Sequence, residues 1–241
     1  RRGTDVAKEA SDMVIADDNF AAIFSAVEEG RVVFDNIRKV IFFLIPTGVA
    51  AIGSIIGSIL MGVPIPYTPS QLLWINLVTN GLQVLALTFE PGEKDVLRRP
   101  PRDPREGIMS RVLVERTILV GLLISAGVVY NFMSELRAGD SLDRARTVAV
   151  TTMVFFQFFQ AWNSRSETES VLRLSPFSNP FLLYGLIASI LAQLASIYFL
   201  PFQWVLRTEP LSLAEWSKIA AMSLTVIALV EIDKWARKKK D

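Results

Sequence analysis

"VIFFLIPTGVAAIGSIIGSILMGVPIPYTPSQLLWINLVTNGLQVLALTF", residues 40–89, contains no Asp, Glu, Lys or Arg. An apolar helix of about 20 residues is long enough to cross the hydrocarbon core of a bilayer. The run holds two such helices, with "VPIPYTPS" (Val63 to Ser70) as the turn between them. It marks an integral membrane protein, and the composition, 51% hydrophobic over 241 residues, agrees.

Working outward, the hydrophobic pattern predicts an all-α bundle of six spans, at about 40–62, 71–89, 113–133, 147–163, 181–200 and 214–232. Basic residues concentrate on the cytoplasmic side of membrane proteins. With the N-terminus inside, the inside loops and tail carry Lys94, Arg98, Arg99, Arg102, Arg105, Arg111, Arg165, Arg173, Lys234, Arg237, Lys238, Lys239 and Lys240. The outside loops hold Arg137, Arg144, Arg146 and Arg207, with Lys218 near an interface. Both termini are therefore expected in the cytoplasm of a multi-pass cell-membrane protein. Trp204 and Trp216 suit an interfacial aromatic belt, with Tyr67 and Trp235 as further candidates.

Residues 1–35 differ in kind from residues 36–241. "GTDVAKEA" suits a short helix, and "DMVIADD" reads as a strand ending in a turn. Asp17, Asp18 and Asn19 offer N-cap chemistry for a helix starting near Phe20. No breaker separates that helix from the first span, so a water-facing stalk is expected to enter the membrane as one helix. The basic start is not followed by an apolar signal-peptide core, and it reads as the middle of a longer chain. Cys and His are absent, which removes disulfides, thiolate and imidazole catalysis and the usual zinc ligands. A net charge of +1 gives no footprint for nucleic acid.

Within the second span, Asn76, Thr79, Asn80 and Gln83 recur at i, i+3, i+4 and i+7, which is one face of an α-helix. A polar stripe in an apolar span faces the bundle interior or a water-filled pathway, where its oxygens can replace a cation's hydration shell. The same stripe suits interhelical hydrogen bonding, and spacing alone does not choose between the two. In the first span, Pro46 leaves the Phe42 carbonyl without its helical donor, and Thr47 and Gly48 follow. A broken helix at membrane depth lines a cavity or packs on protein, and freed carbonyls there ligate cations. Gly53 and Gly57 offer a small face for helix packing. Gln157 and Gln160 repeat the amide pattern in the fourth span, with packing the expected role of Gln160. Glu115, Glu231 and Asp233 lie near span ends, where interfacial roles are expected.

Four stretches together resemble the P-type cation-transporting ATPases, in the branch that contains the calcium pumps and in bacterial form. "GTDVAKEASDMVIADDNFAAI" (3–23) is similar to the end of their phosphorylation domain, "QLLWINLVTNG" (71–81) to their sixth membrane helix, and "RRPPR" (98–102) to the loop after it. "WNSRSE" (162–167) is similar to the end of the eighth helix. The resemblance implies that the six spans are helices five to ten of a ten-helix pump, preceded by a short α/β remnant of the phosphorylation domain. It also implies that the phosphorylated Asp, the nucleotide domain and the first four helices belong to a part outside this sequence. ATP and Mg would act only in that full-length parent, and this region alone is expected to be inactive.

The resemblance makes Asn76, Thr79 and Asn80 metal-ligand positions, since the family's sixth helix reads N-x-x-T-D. Here position 80 is Asn rather than Asp, Ala51 stands where a family Glu is expected, and Gln157 replaces another. Calcium is usually held by six to eight oxygens including carboxylates, and amides alone compensate a dication poorly in low dielectric. A single divalent site or a monovalent cation is the expectation, with the ion itself open. The rival from another class is a non-enzymatic six-helix channel or scaffold.

Overall fold

The computed structural model describes residues 3–16, 19–93, 96–101 and 107–238. The proposed caps Asp17 and Asp18, the basic residues Lys94, Arg102 and Arg105, and the tail lysines Lys239 and Lys240 lie outside the described residues. After α1 (Asp5–Glu9) comes α2 (Ala21–Leu60), an unbroken helix of 40 residues that joins stalk to span. Asn19 Oδ1 accepts from the Ala21 N–H at 3.0 Å and so satisfies one orphan donor at its start.

Residues 13–16 form no strand, and no strand occurs among the described residues. Over the described residues the α/β expectation for the N-terminal segment is corrected to helix plus irregular chain. β-forming residues make a strand only where a neighbouring strand completes the ladder, and none lies beside Met13 and Val14, both exposed.

The second span is built in three parts: α3 (Pro69–Ile75), a π-helical turn (Asn76–Gly81) and α4 (Leu82–Thr88). Thr68 and Gln71 form a reciprocal capping box, with Pro69 in the first turn. The remaining elements are α5 (Arg111–Ala138), α6 (Leu142–Asn163), two 3-10 turns (Val171–Arg173 and Pro176–Ser178), α7 (Pro180–Tyr198), α8 (Leu200–Leu206) and α9 (Leu213–Lys238).

Among the described residues, four helices are long and apolar enough to cross a membrane: α2, α5, α7 and α9. The chain is an all-helical membrane protein. The two further segments expected to span differ for physical reasons. The α3–π–α4 segment is interrupted by its π turn. Helix α6 is 22 residues long but rich in Thr and Gln, and most of it is buried against protein.

Helices α2, α5, α6 and α9 pack around Phe42, Phe43, Ile124, Phe132, Met153 and Phe156, all fully buried. Small residues set the spacing. A Cβ on Gly127 would meet the Phe156 ring at 2.7 Å, and one on Gly121 would meet Val49 at 2.8 Å. Gly53 is in the same position against Ser125, as its small face led one to expect. Tyr67 is not in an aromatic belt: it is 3% exposed, and its hydroxyl meets Ser54 Oγ at 3.2 Å. Trp204 and Trp235 do face outward.

Three cross-links fix the direction of the helices. Trp74 Nε1 donates to Gln193 Oε1 and Gln193 Nε2 to Thr151 Oγ1, both at 3.1 Å. Thr79 Oγ1 bonds Gln157 Oε1, and Arg165 pairs with Glu90 at 2.9 Å. Positions rise together on both segments, so α3–π–α4 and α6 run parallel. Asn36 of α2 donates to the carbonyls of Thr88 and Glu90 at 3.1 and 2.8 Å, so α2 runs against them.

Candidate functional site

The four polar residues of the second span are not one α-helical stripe, because Asn76–Gly81 is π-helical. Side chains there compete with the backbone for carbonyls. Asn76 Nδ2 takes Leu72 O at 3.1 Å, and Thr79 Oγ1 takes Ile75 O at 2.5 Å. π turns of this kind occur frequently at functional sites. The wider turn splits the stripe in two. Asn76 is exposed at an edge and accepts from Asn80 Nδ2 at 2.7 Å. Thr79 and Gln83 point inward and are fully buried.

Thr79 is the junction. Its hydroxyl lies between the Ile75 carbonyl and Gln157 Oε1, so that one O–H is shared by two acceptors. Gln157 is 1% exposed. One turn on, Gln83 is 0% exposed and neither atom of its amide has a hydrogen-bond partner. Asn80 Oδ1 is likewise buried and without a donor. Leaving such groups unpaired costs about 1–3 kcal/mol each, so a cluster of them asks for a ligand or water. Among the described residues no group of three or more Asp or Glu could hold a metal ion. What the wall offers is neutral oxygen.

The Pro46 region differs from the expected break. Helix α2 is continuous through it, and the Phe42 carbonyl is not free: Gln160 Nε2 donates to it at 3.1 Å. Thr47 Oγ1 bonds the carbonyls of Phe43 and Leu44 at 2.9 and 3.0 Å, which occupies its proton within the helix. Gly48 is exposed and faces away from the packed core. Pro46 and Thr47 are buried beside Gln160, and the Phe42 carbonyl expected to be free is capped by its amide. Gln160 pays out one donor here and keeps Oε1 buried without a partner.

The sequence reading missed two contributors from α7. Ser189 Oγ donates to Val78 O inside the π turn at 2.6 Å, and Gln193 links Trp74 to Thr151. Their signal was present: Ser189, Gln193 and Ser196 are polar positions at helical spacing in an apolar span, and all are buried.

A network of charges closes the end of the bundle beyond Gln83. Arg165, 2% exposed, holds Glu90, and it also donates to Ser175 O at 3.0 Å and to Ser178 Oγ. Asn179 Nδ2 reaches the second Glu90 oxygen at 2.7 Å. Glu115 and Asp233 pair with Arg237, and Glu231 accepts the Val171 N–H at 2.8 Å, so all three expected interfacial acids are structural staples.

The family model for the C-terminus of cation-transporting ATPases matches residues 64–236. The chain belongs to the P-type cation-transporting ATPases, as their C-terminal region. It is 40% identical over 233 residues to the probable cation-transporting ATPase F of Mycobacterium tuberculosis, covering 97% of this chain and 26% of that protein. It is 39% identical over 238 residues to a calcium-transporting ATPase of Bacillus subtilis, covering 98% of this chain and 27% of that one. The human calcium-transporting ATPase type 2C member 1 is 37% identical over 239 residues, covering 99% and 26%. The chain thus spans about a quarter of the length of the relatives it matches in this ATPase family.

Proposed function

We propose that this chain forms the transport-site half of an ATP-driven cation pump, with Thr79, Asn80, Gln83 and Gln157 as the wall of the cation site and Asn76 at its edge. The observation that carries the reading is a pair of buried amide oxygens, those of Asn80 and Gln83, which lack donors on successive turns beside Thr79 and Gln157. Oxygens without donors are what a dehydrated cation takes. Buried amide oxygens without donors also occur at Asn131, Gln160 and Asn163, but none of these lies in a π turn.

In this reading the α3–π–α4 segment and α6 also cross the membrane, giving six spans with both termini cytoplasmic. The exposed face of Asn76, together with Leu73 and Leu77, is then covered by the first four helices of the parent. Those helices supply any carboxylate the cation needs. ATP hydrolysis, Mg binding and phosphorylation take place in the cytoplasmic domains outside this sequence, and this region has no ATPase activity of its own. With no acid in the wall, the site holds one divalent ion or a monovalent one, since two calcium ions would lack charge compensation. Calcium transport by the relatives named for it makes calcium the first cation to test.

The long α2 carries the coupling. Movement of its stalk, driven by phosphorylation, reaches Pro46 and the Gln160 contact without an intervening break. Alternating access is then a population shift between two states that bind the cation differently. Asn76→Ala and Asn80→Ala in the full-length pump should lower cation-stimulated ATPase activity. Unchanged activity and cation affinity would assign these amides to interhelical packing instead.

A further inference from the structure

At the same end of the bundle as the Glu90–Arg165 pair, a cavity of about 280 Å³ opens between α2, α5, α9 and the chain after α6. Its wall carries Arg38, Arg116, Lys234 and Arg237, with Glu167 as the one carboxylate among the lining residues, and Ser110 at its edge. Three of the cations are matched. Arg38 makes a two-pronged pair with Glu167, both contacts at 2.8 Å. Arg116 pairs with Asp233 and donates to the Glu167 carbonyl at 2.7 Å. Arg237 bridges Asp233 and Glu115 at 2.8 and 2.9 Å.

Lys234 is the exception. It is 5% exposed, and its ammonium donates to the carbonyls of Glu169 at 2.9 Å and Asn163 at 3.4 Å. No carboxylate oxygen of a described residue lies within ion-pair distance of it. Glu231, on the same helix, has Oε1 committed to the Val171 N–H. An ammonium has three donors, and these two carbonyls take two of them; the carboxylates of Glu231, Glu93 and Glu169 act on its charge from a distance, but none is in contact with it. The first turn of α5, capped by Ser110, borders the same cavity through Val112 and adds the positive end of a 28-residue helix.

We propose that this cavity is an anion site that takes a phosphate or phosphodiester group, seated on Lys234 and the start of α5. A water occupies about 30 Å³ of liquid, so the cavity has room for a phosphate and several waters. It sits where the apolar parts of α5 and α9 end, the level that headgroups occupy when these two helices span a bilayer. Basic pockets between membrane helices at that level are a known way of holding anionic headgroups. A soluble phosphate ester has the same chemistry, so the source is decided by experiment. The site is separate from the cation wall, and its failure would leave the cation reading untouched.

The test is native mass spectrometry of the full-length pump in detergent, titrated with phosphatidylglycerol and, as reference, phosphatidylcholine. The expected result is tighter binding of phosphatidylglycerol, weakened about fivefold or more in Lys234→Met, the scale of one basic residue near a charged headgroup. Lys234→Arg should retain it, as should Arg111→Gln, which alters an exposed arginine of the same end outside the cavity. Val112→Glu, which places a carboxylate at the rim without touching the ion pairs, should abolish it and covers the case in which Lys234→Met does not fold. Displacement of the lipid by glycerol phosphate would assign the site to phosphate groups in general, and absence of displacement to lipid headgroups. Equal phosphatidylglycerol binding by the wild type, Lys234→Met and Val112→Glu, or no preference in the wild type, would overturn the proposal.

Discussion

Gln160 of α6 donates its Nε2 proton to the Phe42 carbonyl of α2 at 3.1 Å, filling the place that Pro46 leaves empty four residues on. A proline within a helix strands one carbonyl, and in a membrane no water is at hand to satisfy it. One amide from a neighbouring helix therefore keeps α2 continuous at the level of the candidate site. Gln160→Leu should orphan that carbonyl and lower stability by about 1–3 kcal/mol. Gln160→Asn, one methylene shorter, should lose the same contact. Thermal unfolding of the purified protein would show both, and unchanged midpoints would mean that the contact is dispensable.

Gln83 gives the opposite sign. Its amide is buried with both polar atoms unpartnered, so replacing it by an apolar residue of similar length removes a penalty. Gln83→Leu should stabilise the cation-free pump by about 1 kcal/mol or more while lowering its cation affinity. Unfolding midpoints with and without the transported cation separate the two effects. Loss of stability with unchanged affinity would mark Gln83 as packing.

Asn80 is the position where charge is most conspicuously missing. Its Nδ2 donates to Asn76 Oδ1 at 2.7 Å, and its own Oδ1 has no donor. Asn80→Asp should exchange that internal hydrogen bond for a carboxylate in the wall. Divalent-ion affinity should rise about tenfold relative to monovalent-ion affinity if a unit charge gains about 1.4 kcal/mol there. Cation-stimulated ATPase activity in calcium and sodium series would measure the ratio, and a ratio unmoved by the substitution would place Asn80 away from the ion.

The Glu90–Arg165 pair closes the bundle below the site, both partners nearly fully buried. Breaking one side of a buried pair strands the other charge. Arg165→Met should therefore destabilise by about 3–5 kcal/mol, and the double substitution Glu90→Gln with Arg165→Met should recover part of it. Chemical unfolding of the three variants forms a double-mutant cycle, and additivity would show that the two residues do not depend on each other.

Much of this architecture is written locally. The unbroken α2 follows from the lack of a breaker between Phe20 and Lys39, and the charge-free run marks the membrane region. The site was legible as residue types but not as geometry. The helical spacing of Asn76, Thr79, Asn80 and Gln83 is real, yet side chains that capture the Leu72 and Ile75 carbonyls turn the segment into a π-helix and separate Asn76 from Thr79. Phe42 with Gln160, and Glu90 with Arg165, join residues 118 and 75 apart in sequence, and no local pattern announces either pair. The strand expected in "DMVIADD", residues 12–18, is absent over its described part, 12–16, for the converse reason: β-forming composition is local, but a strand needs a partner.

The central claim is that the amides and hydroxyl around Thr79 hold the transported cation of an ATP-driven pump. The most direct measurement is phosphoenzyme formation from ATP by the full-length protein, screened over calcium, magnesium, manganese, sodium and potassium, in the wild type and in Thr79→Val with Asn80→Ala. The account predicts that one cation is required for phosphorylation in the wild type and that the double variant needs a concentration at least about tenfold higher, the equivalent of about 1.4 kcal/mol of lost binding. Phosphorylation with the same cation dependence in both proteins would contradict it.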